Sequence, residues 1–273
     1  MPVWIAAVLG VVEGLTEYLP VSSTGHLILV GHMLGLRDES AKTFEVVIQS
    51  GAVLAVLVHF RELLARRAVG LFRRDPDALR LAGALLAAFV PTAIGGLLLR
   101  KAIKKHLFGP VPVAIGLIVG GIVMIVVERW YARRTQQRPP TIATLEGVDA
   151  RRGFAIGVAQ CLALWPGASR SMCTIVGGQL LDLSTSAAAE FSFLLALPVL
   201  GAATALDLWK GGRALVATHE ARVGLAVGFV VSFLVAWAVI RVFLQFIRAR
   251  GLGAFGWYRI ALGAVVLLVL GRS

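Results

Sequence analysis

Six uninterrupted apolar runs constrain this chain more than any other feature, because each is long enough to cross a lipid bilayer. A helix needs about 20 apolar residues to span the hydrocarbon. The chain is 58% hydrophobic and only 15% charged, whereas soluble domains carry roughly 25% charged residues. The sequence therefore predicts an all-α polytopic membrane protein with one integral domain over residues 1–273. The six runs are residues 43–60, 82–100, 111–129, 187–206, 221–245 and 254–271.

Two further apolar segments do not fit this pattern, because Pro, Gly and polar residues interrupt each of them. Residues 3–33 are interrupted by EYLPVSSTGH, and residues 153–180 are interrupted by WPGASRS. Such irregular backbone is tolerated at membrane depth only where it is buried in protein or lines a wet cavity. We therefore predict two re-entrant helical hairpins in addition to about six spanning helices.

The two halves of the chain resemble each other around these interruptions. Glu13 is followed by Glu45 in the next apolar run, and Gln160 is followed in the same way by Glu190. Each half would hold one hairpin and three spans, so the second half enters the membrane from the opposite side. This predicts an inverted-topology repeat, in which discontinuous helices meet near the midplane and form a site. The predicted boundaries are about 1–130 for repeat 1 and about 150–273 for repeat 2.

The net charge of +12 comes from basic residues in short loops between the apolar runs. This placement predicts contact with anionic lipid headgroups and no nucleic-acid partner. Arginines are most frequent in residues 61–80 and 130–152, which the positive-inside rule places in the cytoplasm. Both termini then lie outside, the first hairpin enters from outside, and the second enters from inside.

The first interruption contains several reactive groups. Glu13 and Glu17 are four residues apart on one helical face, so their charges repel unless a proton, an arginine or a divalent cation compensates. Mg²⁺ and Ca²⁺ prefer oxygen ligands of this kind. His26 can move a proton near neutral pH. The hydroxyls available for helix capping or nucleophilic attack are those of Ser22, Ser23 and Thr24.

The second interruption supplies the opposite charge. Pro166 and Gly167 break the chain, and SRSMCT begins a helix whose free N–H groups and dipole favour an anion. Arg170 can bind a phosphate through two parallel hydrogen bonds, or it can neutralise Glu13 or Glu17, and the two interpretations are compatible. Together these groups favour phosphoryl transfer on a substrate with a phosphate head and a long apolar tail.

These two stretches resemble the motifs of a known family. EGLTEYLPVSSTGH resembles the glutamate-rich motif of the bacitracin-resistance type of undecaprenyl-diphosphatase, and PGASRSMCT resembles its PGxSRSxxT motif. The resemblance covers essentially the whole chain and departs at Met172–Cys173, where the family more often has a small residue. It implies hydrolysis of undecaprenyl diphosphate to undecaprenyl phosphate and phosphate, which recycles the lipid carrier of peptidoglycan synthesis. It also implies a divalent cation, bacitracin resistance and a bacterial inner-membrane location with a periplasmic active site.

Motif position implies a role for each candidate residue. Glu13 and Glu17 would be catalytic or bind the cation, and Ser23 would be the candidate nucleophile. His26 would be an acid–base group or an alternative nucleophile. Arg170 would bind the diphosphate. The supporting substrate-binding hydroxyls would be those of Ser169, Ser171, Thr174, Ser22 and Thr24.

Two alternatives stay open at the level of the sequence. Water could attack the phosphorus directly, with Ser23 only positioning it. The chain could also be a transporter or flippase for the lipid phosphate, because inverted repeats usually serve alternating access. A homodimer is compatible with the sequence.

Overall fold

The computed structural model describes residues 1–36, 39–107, 109–215 and 218–270, without the side chains of residues 39–43, 100, 104 and 210–215. Eleven α-helices and two short 3-10 turns make up most of these residues, which form no strand beyond one isolated bridge. The helices are α1 (Val3–Thr16), α2 (Ser23–Met33), α3 (Glu39–His59), α4 (Arg61–Phe72), α5 (Pro76–His106), α6 (Pro110–Gln137), α7 (Ala150–Cys161), α8 (Arg170–Leu180), α9 (Thr185–Leu215), α10 (His219–Arg250) and α11 (Gly253–Leu270).

Five of the described helices, α5, α6, α9, α10 and α11, are long and apolar enough to cross a membrane. The bent pair of α3 and α4 would add a sixth span. The prediction of an all-α polytopic membrane protein with about six spans is therefore confirmed.

The interpretation of residues 61–80 as a loop was wrong, because α4 and the start of α5 occupy most of that stretch. α4 bends away from α3 by 73°. Its four charged residues stand in two pairs, Arg61–Glu62 and Arg66–Arg67, among apolar residues, and none of its residues is buried. This is the pattern of an amphipathic helix that lies along the membrane interface.

The two broken segments are each a helix, a break and a second helix, as predicted. The longest of the four half-helices is α1, with 14 residues. At a rise of about 1.5 Å per residue, α1 extends only about 21 Å, which is less than the roughly 30 Å of hydrocarbon. α1 packs against α2, and α7 packs against α8. We name residues 17–22 break 1 and residues 162–169 break 2.

The two broken segments pack on spanning helices in corresponding ways. α1 packs against α10, and α7 packs against α5, in both cases through small residues that let the backbones come close. This correspondence is what the predicted repeat requires, and the inverted topology itself stays a prediction. The small residues at the two crossings are Ala6, Gly10, Gly224 and Gly228 in the first, and Gly153, Gly157, Ala84 and Ala88 in the second.

The arginine-rich segments lie on one side of the protein, as the loop charges predicted. Arg67 Nη2 donates to Glu146 Oε1 at 2.5 Å, and Arg80 Nη1 donates to the Glu146 carbonyl at 3.1 Å. An apolar cluster that includes Leu145 and Val148 extends from this side into the protein as far as Tyr18 in break 1. The protein is therefore closely packed between the basic side and the breaks.

Candidate functional site

Break 1 ends at a serine that starts the next helix in an unusual conformation. The φ angle of Ser22 is 72°, in the left-handed region that residues other than Gly rarely adopt. The Ser22 Oγ accepts a hydrogen bond from the Gly25 amide at 3.3 Å, so it caps α2. Ser23 is the first residue of α2. It therefore lies at a helix N-terminus, where free amides and the helix dipole favour negative charge.

Break 2 ends in the same way. The φ angle of Ser169 is also 72°, and its Oγ accepts from the Met172 amide at 3.3 Å. Gly167 has a φ of 95° and lies against the Val113 carbonyl, so a side chain would fit neither its conformation nor its space. Arg170 is the first residue of α8, the position that Ser23 holds in α2. The Ser23 hydroxyl and the Arg170 guanidinium thus extend from the same position, the first residue of the helix after each break.

Glu17 links these two places. Its Oε2 accepts from Ser23 Oγ at 2.7 Å and from Gln49 Nε2 at 3.2 Å. Its Oε1 faces Arg170 Nη2 at 3.4 Å, and the side chains of Arg170 and Glu17 are only 9% and 5% exposed. The structure therefore brings Ser23, Glu17 and Arg170 together, as the candidate residues of both motifs require. A hydroxyl that donates to a buried carboxylate is placed to lose its proton to it.

Arg170 is held by more than its ion pair. Its Nη1 donates to the Ser192 carbonyl at 2.8 Å, and its guanidinium carbon lies 5.7 Å from the centre of the Tyr18 ring. The Tyr18 hydroxyl in turn donates to the Ala52 carbonyl at 2.9 Å. These contacts fix the guanidinium between break 1 and α9.

The remaining hydroxyls of the second motif are engaged in local structure. Ser171 Oγ donates to the Leu19 carbonyl at 2.9 Å, which ties α8 to break 1. Thr174 Oγ1 lies 2.6 Å from Ser192 Oγ and 2.9 Å from the Arg170 carbonyl. Of the three hydroxyl residues predicted to support Arg170, only Ser169 lines the polar cavity. Ser171 and Thr174 instead hold the turn that carries Arg170.

Glu13 occupies a different place from Glu17. It is almost fully buried in α1, and neither carboxylate oxygen has a hydrogen-bond partner among the described residues. It does not line the polar cavity. Glu13 therefore keeps its oxygens free for a cation or a proton, whereas Glu17 has three protein partners.

His26 lies away from the Ser23–Glu17 pair. Its Nδ1 is 2.8 Å from the Ser22 carbonyl, which can only accept, so Nδ1 carries the hydrogen. Its Nε2 is 2.7 Å from the Tyr258 hydroxyl, and the two rings are stacked. Both ring nitrogens are thus occupied in tying break 1 to α11.

A polar cavity and an apolar cleft meet at this site. The polar cavity has a volume of about 160 Å³, and its charged and hydroxyl lining includes Glu17, Ser23 and Arg170. The apolar cleft has a volume of about 580 Å³ and runs between α5 and α9. The two spaces share the residues Thr24, Ala163 and Pro166.

Sequence reasoning missed four residues that the structure places here. Arg259 was read as part of an ordinary span, although a buried arginine inside an apolar run is costly and is itself a signal of function. Gln49 is a polar residue in the apolar run 43–60, which is a weaker indication of function than a buried charge. Nothing in the sequence pointed to a place in the site for Tyr258 or Ser192.

The comparisons with known proteins agree with the motifs. The family model described as bacitracin resistance protein BacA matches residues 6–265. The chain is 63% identical over 265 residues to an undecaprenyl-diphosphatase of Sorangium cellulosum, which covers 97% of this chain and 85% of that protein. It is 48% identical over 268 residues to an undecaprenyl-diphosphatase of Methylococcus capsulatus, and the match covers 98% of this chain and 95% of that protein. It is 47% identical over 267 residues to undecaprenyl-diphosphatase 1 of Paraburkholderia xenovorans, and the match covers 97% of this chain and 94% of that protein.

We expect Arg170→Met to destabilise the protein by about 3–5 kcal/mol, because it leaves the Glu17 carboxylate buried without its cation. The double variant Glu17→Gln/Arg170→Met should recover most of this loss. Arg248→Met is the matched control, since its partner Glu190 forms a more exposed pair and should cost less than about 1 kcal/mol. The measurement is the free energy of unfolding in detergent for these three variants and the wild type. Equal stabilities of Arg170→Met and Arg248→Met would contradict a buried pair.

Proposed function

The chain belongs to the bacitracin resistance protein BacA family, and we propose that it hydrolyses undecaprenyl diphosphate to undecaprenyl phosphate and inorganic phosphate. It is a membrane phosphatase that recycles the lipid carrier of peptidoglycan synthesis, and its overproduction confers bacitracin resistance. The observation that carries the proposal is the Ser23–Glu17 hydrogen bond of 2.7 Å beside Arg170, at the boundary of a polar cavity and an apolar cleft.

The shape of the site fits the two parts of this substrate. The diphosphate would lie in the polar cavity, where Arg170 and the N-termini of α2 and α8 favour negative charge. The isoprenoid tail would lie in the cleft between α5 and α9, which Phe89, Leu97 and Val199 help to line. A pocket of this kind, mostly apolar with a few polar groups, is typical of ligand sites.

The hydrolysis proceeds in two displacements on this proposal. Glu17 takes the proton of Ser23, and Ser23 Oγ attacks the terminal phosphorus while the bond to the bridging oxygen breaks. Undecaprenyl phosphate leaves with that oxygen. Water then attacks the phosphorus of the phosphoserine and the bond to Ser23 Oγ breaks. Glu17 gives its proton back to Ser23 Oγ, and both protons of the water stay on the inorganic phosphate that is released. Direct attack by water, with Ser23 only positioning it, is the alternative.

We propose that a divalent cation, Mg²⁺ or Ca²⁺, completes the site. The unpartnered oxygens of Glu13 fit such an ion, and Glu17 lies one helical turn away on the same face. Two carboxylates with phosphate oxygens of the substrate are a usual ligand set for Mg²⁺. When bound, the cation would offset the negative charge of the diphosphate.

The position of the cleft supports a periplasmic opening in the inner membrane. The cleft follows α5 from Phe89 to Ile103, away from Arg80 and the arginine-rich side of the protein. The positive-inside rule assigns that basic side to the cytoplasm. The apolar packing between the basic side and Tyr18 leaves the opposite side as the route of entry.

Ser23→Ala should lower kcat by roughly 10³-fold or more, because it removes the attacking oxygen. The measurement is phosphate release from undecaprenyl diphosphate by purified protein in detergent. Ser50→Ala is the matched control, since among the described residues the Ser50 hydroxyl bonds to a carbonyl of its own helix, and its kcat should match that of the wild type. Near-normal turnover by folded Ser23→Ala would refute Ser23 as the nucleophile.

Removal of divalent cations with EDTA should abolish phosphate release, and added Mg²⁺ or Ca²⁺ should restore it. Glu13→Gln should raise the Mg²⁺ concentration for half-maximal activity about tenfold, because it replaces one anionic ligand. Glu190→Gln should leave that concentration unchanged, since Glu190 pairs with Arg248. Full activity in EDTA would exclude the proposed cation.

His26 allows a test between positioning and proton transfer. Glutamine can donate and accept hydrogen bonds but cannot carry a proton at neutral pH. If His26 holds break 1 between Ser22 and Tyr258, His26→Gln should keep at least tenfold more activity than His26→Ala. Equal losses in the two variants would instead favour an acid–base role.

A further inference from the structure

Arg259 in α11 is fully buried, and its hydrogen bonds reach both breaks. Its Nη1 donates to the Pro20 carbonyl in break 1 at 3.1 Å. Its Nη2 lies 2.9 Å from the Gly167 carbonyl and 3.0 Å from the Ala168 carbonyl in break 2. The same nitrogen is 3.1 Å from the Gly116 carbonyl of α6. One guanidinium thus joins three separate segments.

The described hydrogen-bond partners of the Arg259 guanidinium are backbone carbonyl oxygens. Among the described residues, no carboxylate forms an ion pair with Arg259. A buried charge without an anionic partner is costly and is retained only where hydrogen bonds satisfy it. The planar fork of an arginine can reach several carbonyls at once, whereas the ammonium of a lysine is a compact point charge. The residue type therefore matches a bridge between segments.

One of the carbonyls that Arg259 binds, that of Ala168, directly precedes Ser169, the residue before Arg170. In a trans peptide the C=O and the following N–H point in opposite directions. The Ala168 carbonyl points toward Arg259, so the Ser169 amide points away from it. That amide has no backbone hydrogen bond in the described chain, and Ser169 lines the polar cavity. Arg259 therefore holds the Gly167 and Ala168 carbonyls on the side of α11, and the Ser169 amide stays available beside the cavity.

We infer that Arg259 is a positioning residue that orients the Ser169 amide toward the diphosphate and fixes Arg170 relative to Ser23. This inference rests on the proposed function, because it assigns Arg259 to the anion-binding side of the same site. Arg259 itself does not line the polar cavity. It acts on the substrate through the backbone of the two breaks.

Gly120 supplies a second way to disturb this bridge. A Cβ at Gly120 would overlap Arg259 Nη2 and would lie 3.0 Å from its guanidinium carbon. Gly120→Ala should therefore displace the guanidinium without removing its charge. Gly83→Ala is the matched control in α5, because a Cβ there would meet no atom within 4 Å.

The test measures the affinity for inorganic diphosphate by calorimetry, and KM and kcat for undecaprenyl diphosphate, on folded full-length protein. Arg259→Lys and Gly120→Ala should each raise Kd and KM about tenfold, because the anion-binding amide loses its orientation. The controls Arg241→Lys and Gly83→Ala should keep the wild-type values. The guanidinium carbon of Arg241 lies 4.0 Å from the centre of the Trp237 ring in α10.

A merely structural role would give a different result. It would reduce the amount of active enzyme and hence the apparent kcat, while Kd and KM stayed at wild-type values. Wild-type Kd and KM in both variants would therefore overturn the inference. If Arg259→Lys does not fold, the Kd and KM of the Gly120→Ala variant alone test the inference. A wild-type protein that releases no phosphate would overturn the proposed function, whereas normal hydrolysis with unaltered variant affinities would overturn only the role of Arg259.

Discussion

The backbone of the two breaks is the constraint on which the rest of this structure depends. A helix that stops inside a membrane leaves amides and carbonyls without partners, and lipid supplies none. The protein satisfies the two kinds of group differently. The side chains of Ser22 and Ser169 accept hydrogen bonds from amides of the half-helices, and Arg259 donates hydrogen bonds to carbonyls of both breaks. In break 2 the Gly167 and Ala168 carbonyls are therefore bound by α11, while Ser169 lines the cavity.

This separation explains how a negatively charged headgroup could be accommodated there. The cavity has the first turns of α2 and α8 on its walls, so their dipoles add to the charge of Arg170. Without a ligand, Arg170 faces Glu17, and neither charge is left buried alone. A phosphate that takes the guanidinium would release Glu17 from this pair.

The sequence predicted the architecture and the central groups of the site, and the reasons are physical. Apolar runs of about 20 residues and the Pro–Gly interruptions are local signals, so the spans and both breaks could be located. Arg170 could be paired with Glu13 or Glu17, because buried charges need partners of opposite sign, whereas the role of Ser23 followed from the resemblance of the first motif to a known family. The bend after His59 could not be foreseen, since it depends on where α4 meets the interface.

The contacts of α11 were beyond sequence reasoning for a different reason. Tyr258 and Arg259 meet residues more than 90 positions away in the chain, and only the folded packing selects those partners. Motif position implied catalytic roles for both Ser23 and His26. In the fold, His26 turns toward Tyr258 while Ser23 turns toward Glu17. The short polar motif thus contains both the candidate nucleophile and a side chain that ties break 1 to α11.

The placement of the site within the bilayer follows from the two-part shape of the substrate. Thr24, Ala163 and Pro166 border both the polar cavity and the apolar cleft, so a headgroup and its tail could occupy them together. The tail would stay in an apolar environment throughout, and only the phosphate groups would leave water. After cleavage, the inorganic phosphate, which has no apolar part, would be released to water, and the lipid phosphate would return along the cleft. The boundary proposed to bind the substrate would therefore also separate the two products.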